Sequence, residues 1–144
     1  MKVNLNKLLV LEDNEHAGAM ILRLAQRAGY RTTCTTTVAE FMLSYVTERP
    51  SLIAMDLILG DADCSAAVEF LAKCQNEVPI VLMTGHNASF LDVIGNETAR
   101  LGQKVLGRVE KRRTLFRLEE ILARQHIQEI DIEAVDAVSM AGNA

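Results

Sequence analysis

Residues 7–15 read KLLVLEDNE, and this stretch decides the fold. Leu8, Leu9, Val10 and Leu11 form an uninterrupted apolar run, as in a strand buried on both faces of a parallel sheet. The run ends in two adjacent acids, Glu12 and Asp13. A second stretch, SLIAMD (51–56), repeats the pattern and ends in Asp56. A third, VPIVLMTGH (78–86), ends in Thr84.

Between these runs the apolar period changes from continuous to helical. Ala17, Met20, Ile21, Leu24, Ala25 and Ala28 recur on one helix face, and Gly29 is placed to close that helix. YRTTCTT (30–36) is polar and β-branched and reads as an edge strand. A second helix carries Val38, Phe41, Met42 and Tyr45 on one face and stops at Pro50. CSAAVEFLAKCQNE (64–77) reads as a third helix, and ASFLDVIGNETARLG (88–102) as a weaker fourth, interrupted by Gly95. QKVLGRVEK (103–111) holds a short fifth strand approaching Lys111, and Leu115, Leu118 and Leu122 stripe a last helix. Five strand–helix units with short links predict an α/β fold, a doubly wound five-stranded parallel sheet covered by helices on both faces. Right-handed crossovers and the polar second strand select the order 2-1-3-4-5.

Composition sets outer limits. The chain has 144 residues, enough for one core, and 49% of them are hydrophobic with 4% aromatic and no Trp. Leu, Ile, Val, Ala and Met must therefore fill that core. A net charge of −4 argues against nucleic acid or an anionic membrane as partner. No apolar run approaches the ~20 residues of a membrane span, and the first residues lack a signal-peptide core. Three scattered cysteines suit a reducing compartment, so the expectation is a cytoplasmic protein. His16, His86 and His126 lack ligand spacing and read as surface residues.

In an open parallel sheet, ligands bind beyond the carboxyl ends of the strands, near the point where the winding reverses. Glu12, Asp13, Asp56, Thr84 and Lys111 all fall there. Two carboxylates ~4 Å apart repel by about 4 kcal/mol at an effective dielectric near 20, and a third adds to this. Either one is protonated or a hard cation sits among them, and Mg²⁺ suits a site with few carboxylates and several waters. A carboxylate nucleophile, a hydroxyl and an ammonium beside a metal make a phosphoryl-transfer set, with Asp56 in the middle of the row.

The stretches LVLEDN, LIAMDLILGDAD, PIVLMTGH and VEKRRTLFRLEEIL, in that order, resemble a CheY-like receiver domain of two-component response regulators, from about Lys2 to Gln125. The resemblance implies a flavodoxin-like three-layer sandwich with Mg²⁺ held by Glu12, Asp13, Asp56 and the Ile58 carbonyl. It implies phosphorylation of Asp56 by a histidine kinase, a phosphotransfer protein or an acyl phosphate, with Thr84 and Lys111 contacting the phosphoryl group. The domain would then be a regulator rather than an enzyme. The chain departs from the family pattern where Pro is common, at Gly60 and Arg112, where Gly opens the third helix, at Cys64, and at the aromatic switch position, here Arg108. Arg112, not being proline, predicts a trans peptide after Lys111. Output is expected through the face made by the fourth helix, fifth strand and fifth helix.

Two other readings compete. A pseudo-receiver would keep the fold as an interaction module without phosphorylation. A Toprim-like metal-dependent nuclease would use an acid after the first strand with Asp61 and Asp63, leaving Asp56, Thr84 and Lys111 without a role. The basic run Arg108, Lys111, Arg112, Arg113 and Arg117 reads as a solvated face. Residues 1–125 form the expected domain, and 126–144 a tail. Its Ile127, Ile130, Ala134, Val135 and Val138 would line a helix, as a linker to an output domain, a homodimer contact or a frayed end. LGQKVLGRVEK resembles receivers joined to cyclic-di-GMP phosphodiesterases.

Overall fold

A computed structural model describes residues 1–85, 88–112 and 115–133. Five parallel strands form the sheet: β1 (Lys7–Leu11), β2 (Arg31–Thr35), β3 (Leu52–Asp56), β4 (Ile80–Thr84) and β5 (Val105–Glu110). The helices are α1 (Glu15–Arg27), α2 (Val38–Glu48), α3 (Ser65–Lys73), α4 (Ala88–Arg100) and α5 (Phe116–Gln125). The strand order is β2-β1-β3-β4-β5, the predicted 2-1-3-4-5.

Alternation along the buried strands divides the core in two. Leu8, Val10, Ala54, Val81 and Met83 face α1 and α5 with Ile21, Leu118 and Leu122. Leu9, Leu11, Met55 and Leu82 face the other side with Phe41, Leu71 and Leu91, from α2, α3 and α4. β1, β3 and β4 are interior strands, whereas β2 exposes Arg31 and Cys34, as an edge does. Pairing of β4 with β5 shifts register between Ile80 and Val81, so Ile80 faces Val105 but Val81 faces Gly107.

Local chemistry sets the helix ends. The Asn14 side chain accepts from Ala17 N–H at 2.9 Å at the start of α1, and Thr37 Oγ1 accepts from Glu40 N–H at 3.1 Å at the start of α2. Gly29, at φ 88°, turns the chain out of α1 as the sequence predicts.

Beyond α5 the chain returns along the body. Asn6 is fully buried and exchanges two 2.7 Å hydrogen bonds with the Ile127 backbone. Ile130–Asp131 then pairs antiparallel with Lys2–Val3. Ile130 therefore lies in a short strand, not on a helical stripe; Ala134, Val135 and Val138 lie outside the described residues. Its backbone is captured by the start of the chain, a long-range pairing that outweighs the local period. His126 is half-buried, with its ring edge-on to Tyr30 at 5.9 Å, rather than a surface residue.

Candidate functional site at the carboxyl edge of the sheet

Because β1 stops at Leu11, the two acids after it are free of strand alternation. Glu12 N–H donates to the Thr35 carbonyl at 2.9 Å, which holds the residue in line and turns its side chain inward. Glu12 is only 2% exposed, whereas Asp13 is exposed. Asp56 ends β3 and Thr84 ends β4, and both are buried. Lys111 follows β5, fixed by its N–H to the Thr84 carbonyl at 2.8 Å. The peptide joining it to Arg112 is trans.

The five side chains meet. Lys111 Nζ donates to Glu12 Oε1 at 2.6 Å and to Asp56 Oδ2 at 3.0 Å, so the ammonium bridges two carboxylates. Glu12, Asp13 and Asp56 each offer an oxygen, all within 4.8 Å of one another. Above them opens a cleft of about 480 Å³ lined by Asp13, Asp56, Ile58, Thr84, Gly85 and Lys111, with Asn14, Gly60 and Phe90 at its rim. Lys111 thus leaves the solvated face expected for the basic run; Arg113 lies outside the described residues.

Charge in this site is not balanced. Burial, then hydrogen bonding to Asp56, pushes the Glu12 carboxyl up to about 8, against the pull of Lys111. Burial alone would lower the Lys111 ammonium, but the hydrogen bonds and charges of Glu12 and Asp56 hold it above its ordinary value. Glu12 Oε2 is buried without a hydrogen-bond partner. A buried, partnerless carboxylate oxygen beside two further carboxylates is a hard-oxygen donor set, and it fits Mg²⁺.

The segment after Asp56 explains one departure from the family pattern. Ile58–Leu59 and Ala62–Asp63 pair as a small antiparallel hairpin whose loop begins at Gly60, at φ 64°. Proline is locked near φ −65°, so it cannot occupy this left-handed position. The same hairpin removes the basis for the nuclease reading. Asp63 Oδ1 accepts Ser65 N–H at 2.9 Å at the start of α3, and Ser65, through its side chain first, holds the Asp63 carboxyl below its ordinary pKa. Asp63 is absorbed by the turn, and Asp61 does not join the acid cluster.

Two cleft residues are not legible as site residues in the sequence: Asn14, which follows the acidic pair, and Phe90, which reads as an ordinary helix residue. The signal for Phe90 is its place in the first turn of the helix that follows Thr84.

No family model matches the chain. It is 28% identical over 91 residues to the alkaline phosphatase synthesis transcriptional regulatory protein PhoP of Bacillus subtilis (strain 168), covering 63% of this chain and 38% of that protein. Among solved structures, a response regulator from Colwellia psychrerythraea superposes with a TM-score of 0.73 at 16% identity, covering 83% of this chain and 95% of that one. The N-terminal domain of a response regulator/sensory box/GGDEF 3-domain protein from Carboxydothermus hydrogenoformans gives a TM-score of 0.60 at 26% identity, covering 83% and 94%.

The chain has the fold of a receiver domain.

The chain spans little more than a third of the curated relative it matches, so activities of that whole protein do not transfer to it directly. These relatives are named as a transcriptional regulatory protein and as response regulators, which are signalling proteins. Among its described residues the chain has no helix long and apolar enough to cross a membrane.

Proposed function

We propose that this receiver is a phosphoacceptor of a two-component system and that Asp56 is the residue modified. The observation that carries this reading is the placement of Asp56. It lies at the floor of an open cleft, 3.0 Å from an ammonium and within reach of two further carboxylates. Glu12, Asp13, Asp56 and the backbone carbonyl of Ile58 would hold one Mg²⁺, which when bound would supply positive charge for the phosphoryl oxygens. An Asp56 carboxylate oxygen forms a bond to phosphorus while the bond from phosphorus to the donor breaks. The donor leaves as a neutral imidazole from a phosphohistidine protonated on its other ring nitrogen, or as a carboxylate from an acyl phosphate. Lys111 would then pair with the phosphoryl group, and the Thr84 hydroxyl would hydrogen-bond it.

The donor would be a histidine kinase or phosphotransfer protein. Residues 1–125 would form the switching unit, with residues 126–144 leading to an output partner, a cyclic-di-GMP phosphodiesterase or a second copy among the candidates. The test is incubation with acetyl phosphate and Mg²⁺ followed by intact-protein mass. One added phosphate on the wild type and none on Asp56→Asn supports the reading. Unchanged labelling of Asp56→Asn overturns it, and absence of any labelling favours the pseudo-receiver.

A further inference from the structure

Two residues that are awkward in isolation meet on α4. Gly95 sits in mid-helix, where glycine is a poor choice. Arg108 sits on β5, one residue from the fully buried Val109. Arg108 Nη1 donates to Asp92 Oδ1 and Nη2 to Asn96 Oδ1, each at 3.0 Å. A Cβ added at Gly95 would lie 2.5 Å from Arg108 Nε and 2.6 Å from Cζ. Asp92, Gly95 and Asn96 share one helix face at spacings of three and four. The guanidinium therefore rests against bare helix backbone, with an acceptor one turn apart for each arm of its fork. An ordinary surface ion pair needs no glycine beneath it. The planar fork supplies what a lysine cannot, two acceptors held at fixed geometry.

This grip has a direct path to the cleft. α4 begins just after the loop leaving Thr84, and its first turn carries Phe90, which lines the cleft. β5 leads within three residues of Arg108 to Lys111, the ammonium between the acids. We infer that Arg108 is a positioning residue, seated on Gly95, that sets where α4 and its Phe90 end lie relative to the phosphoacceptor. The effect on phosphoryl transfer rests on the function proposed above; the seat itself does not. Movement of the Thr84 loop or of Lys111 toward a phosphoryl group would load the Arg108–Asp92–Asn96 fork, so the fork opposes that movement until it shifts or releases.

The experiment uses the full chain as wild type, Arg108→Ala, Gly95→Ala, the double variant and Arg108→Lys. Urea unfolding is measured first. Gly95→Ala should strengthen the fold when residue 108 is alanine, through helix propensity, and do so less or not at all when it is arginine. The difference should reach about threefold or more in the unfolding constant. Second, the rate of Mg²⁺-dependent labelling by acetyl phosphate should change about threefold or more in both single alanine variants. Arg108→Lys should behave like Arg108→Ala, since charge without the fork does not restore the seat. If Gly95→Ala has the same effect in both backgrounds, there is no seat and the inference is overturned. If the coupling is present but labelling rates match wild type, Arg108 is a structural clamp and the positioning role is overturned. Coupling in a wild type that takes no label overturns the phosphoacceptor reading, and the positioning role with it, while leaving the seat in place.

Discussion

The two ends of the sheet treat buried polar groups in opposite ways. At the amino edge, the Asn76 side chain makes four hydrogen bonds. It donates to the Val78 carbonyl at 2.9 Å and Gln103 at 3.0 Å, and accepts from Tyr45 at 2.8 Å and the Val78 N–H at 3.0 Å. Asn6, at the same edge, joins Ile127 through both its oxygen and its nitrogen. These groups are neutral amides with their partners in place, and they fix the course of loops. At the carboxyl edge, Glu12 keeps a buried oxygen without a partner, and two of the three clustered carboxylates share one ammonium. One edge spends polarity on holding the chain; the other leaves charge imperfectly matched, ready for a ligand.

The largest expected effect breaks the carboxyl edge. Lys111→Met leaves Glu12 and Asp56 facing each other without a cation, and should destabilise the fold by about 3 kcal/mol in the absence of divalent ions. Urea unfolding with and without Mg²⁺ checks this, and Mg²⁺ should recover part of the loss. A Lys111→Met variant as stable as wild type would mean that the acids do not strain one another.

Next in size is the amino edge. Asn76→Ala strands the partners of a four-membered network and should cost about 1–3 kcal/mol. The predicted contrast is that its Mg²⁺ response and its labelling by acetyl phosphate stay those of wild type. Loss of labelling at a stability that keeps the protein folded would show that the two edges are not independent.

Much of this division could be read from the sequence, and the exceptions share a cause. Apolar runs ending in Glu12, Asp56 and Thr84 placed three of the four strand ends at the site, because burial on both faces leaves an unmistakable local pattern. Lys111 was separable from Lys104 by its place just before the last helix; Lys104 lies at the amino edge, where its carbonyl accepts Ile80 N–H at 2.8 Å. Arg108 reads as part of a solvated basic run and is still partly exposed, but its pairing with Asp92 and Asn96 is not visible in the run itself. Which face of β5 it occupies depends on the register shift opposite Ile80 and Val81, and its seat depends on a glycine thirteen residues earlier. The strand at Ile130 escaped notice for a similar reason, since its partner lies at the start of the chain. Local periods reveal elements, while pairings between distant segments decide which side chains meet.

The smallest effect sharpens the comparison. Glu12→Gln keeps the shape and replaces a carboxyl that burial already holds largely neutral near pH 7, so stability without Mg²⁺ should stay within about 1 kcal/mol of wild type. The gain on adding Mg²⁺, about 1.4 kcal/mol when the ion is at ten times its dissociation constant, should shrink. Thermal unfolding across a Mg²⁺ titration measures both quantities. An undiminished gain would place the ion elsewhere.

The claim that the carboxyl edge is kept reactive for phosphoryl transfer meets its most direct test at Asp56 itself. After treatment with acetyl phosphate and Mg²⁺, borohydride reduces an aspartyl phosphate to homoserine, and peptide mass spectrometry locates the change. The account predicts homoserine at position 56 in the wild type and at no acid in Asp56→Asn. Homoserine at Glu12's neighbour Asp13, at Asp61 or at Asp63, with Asp56 intact, would contradict it.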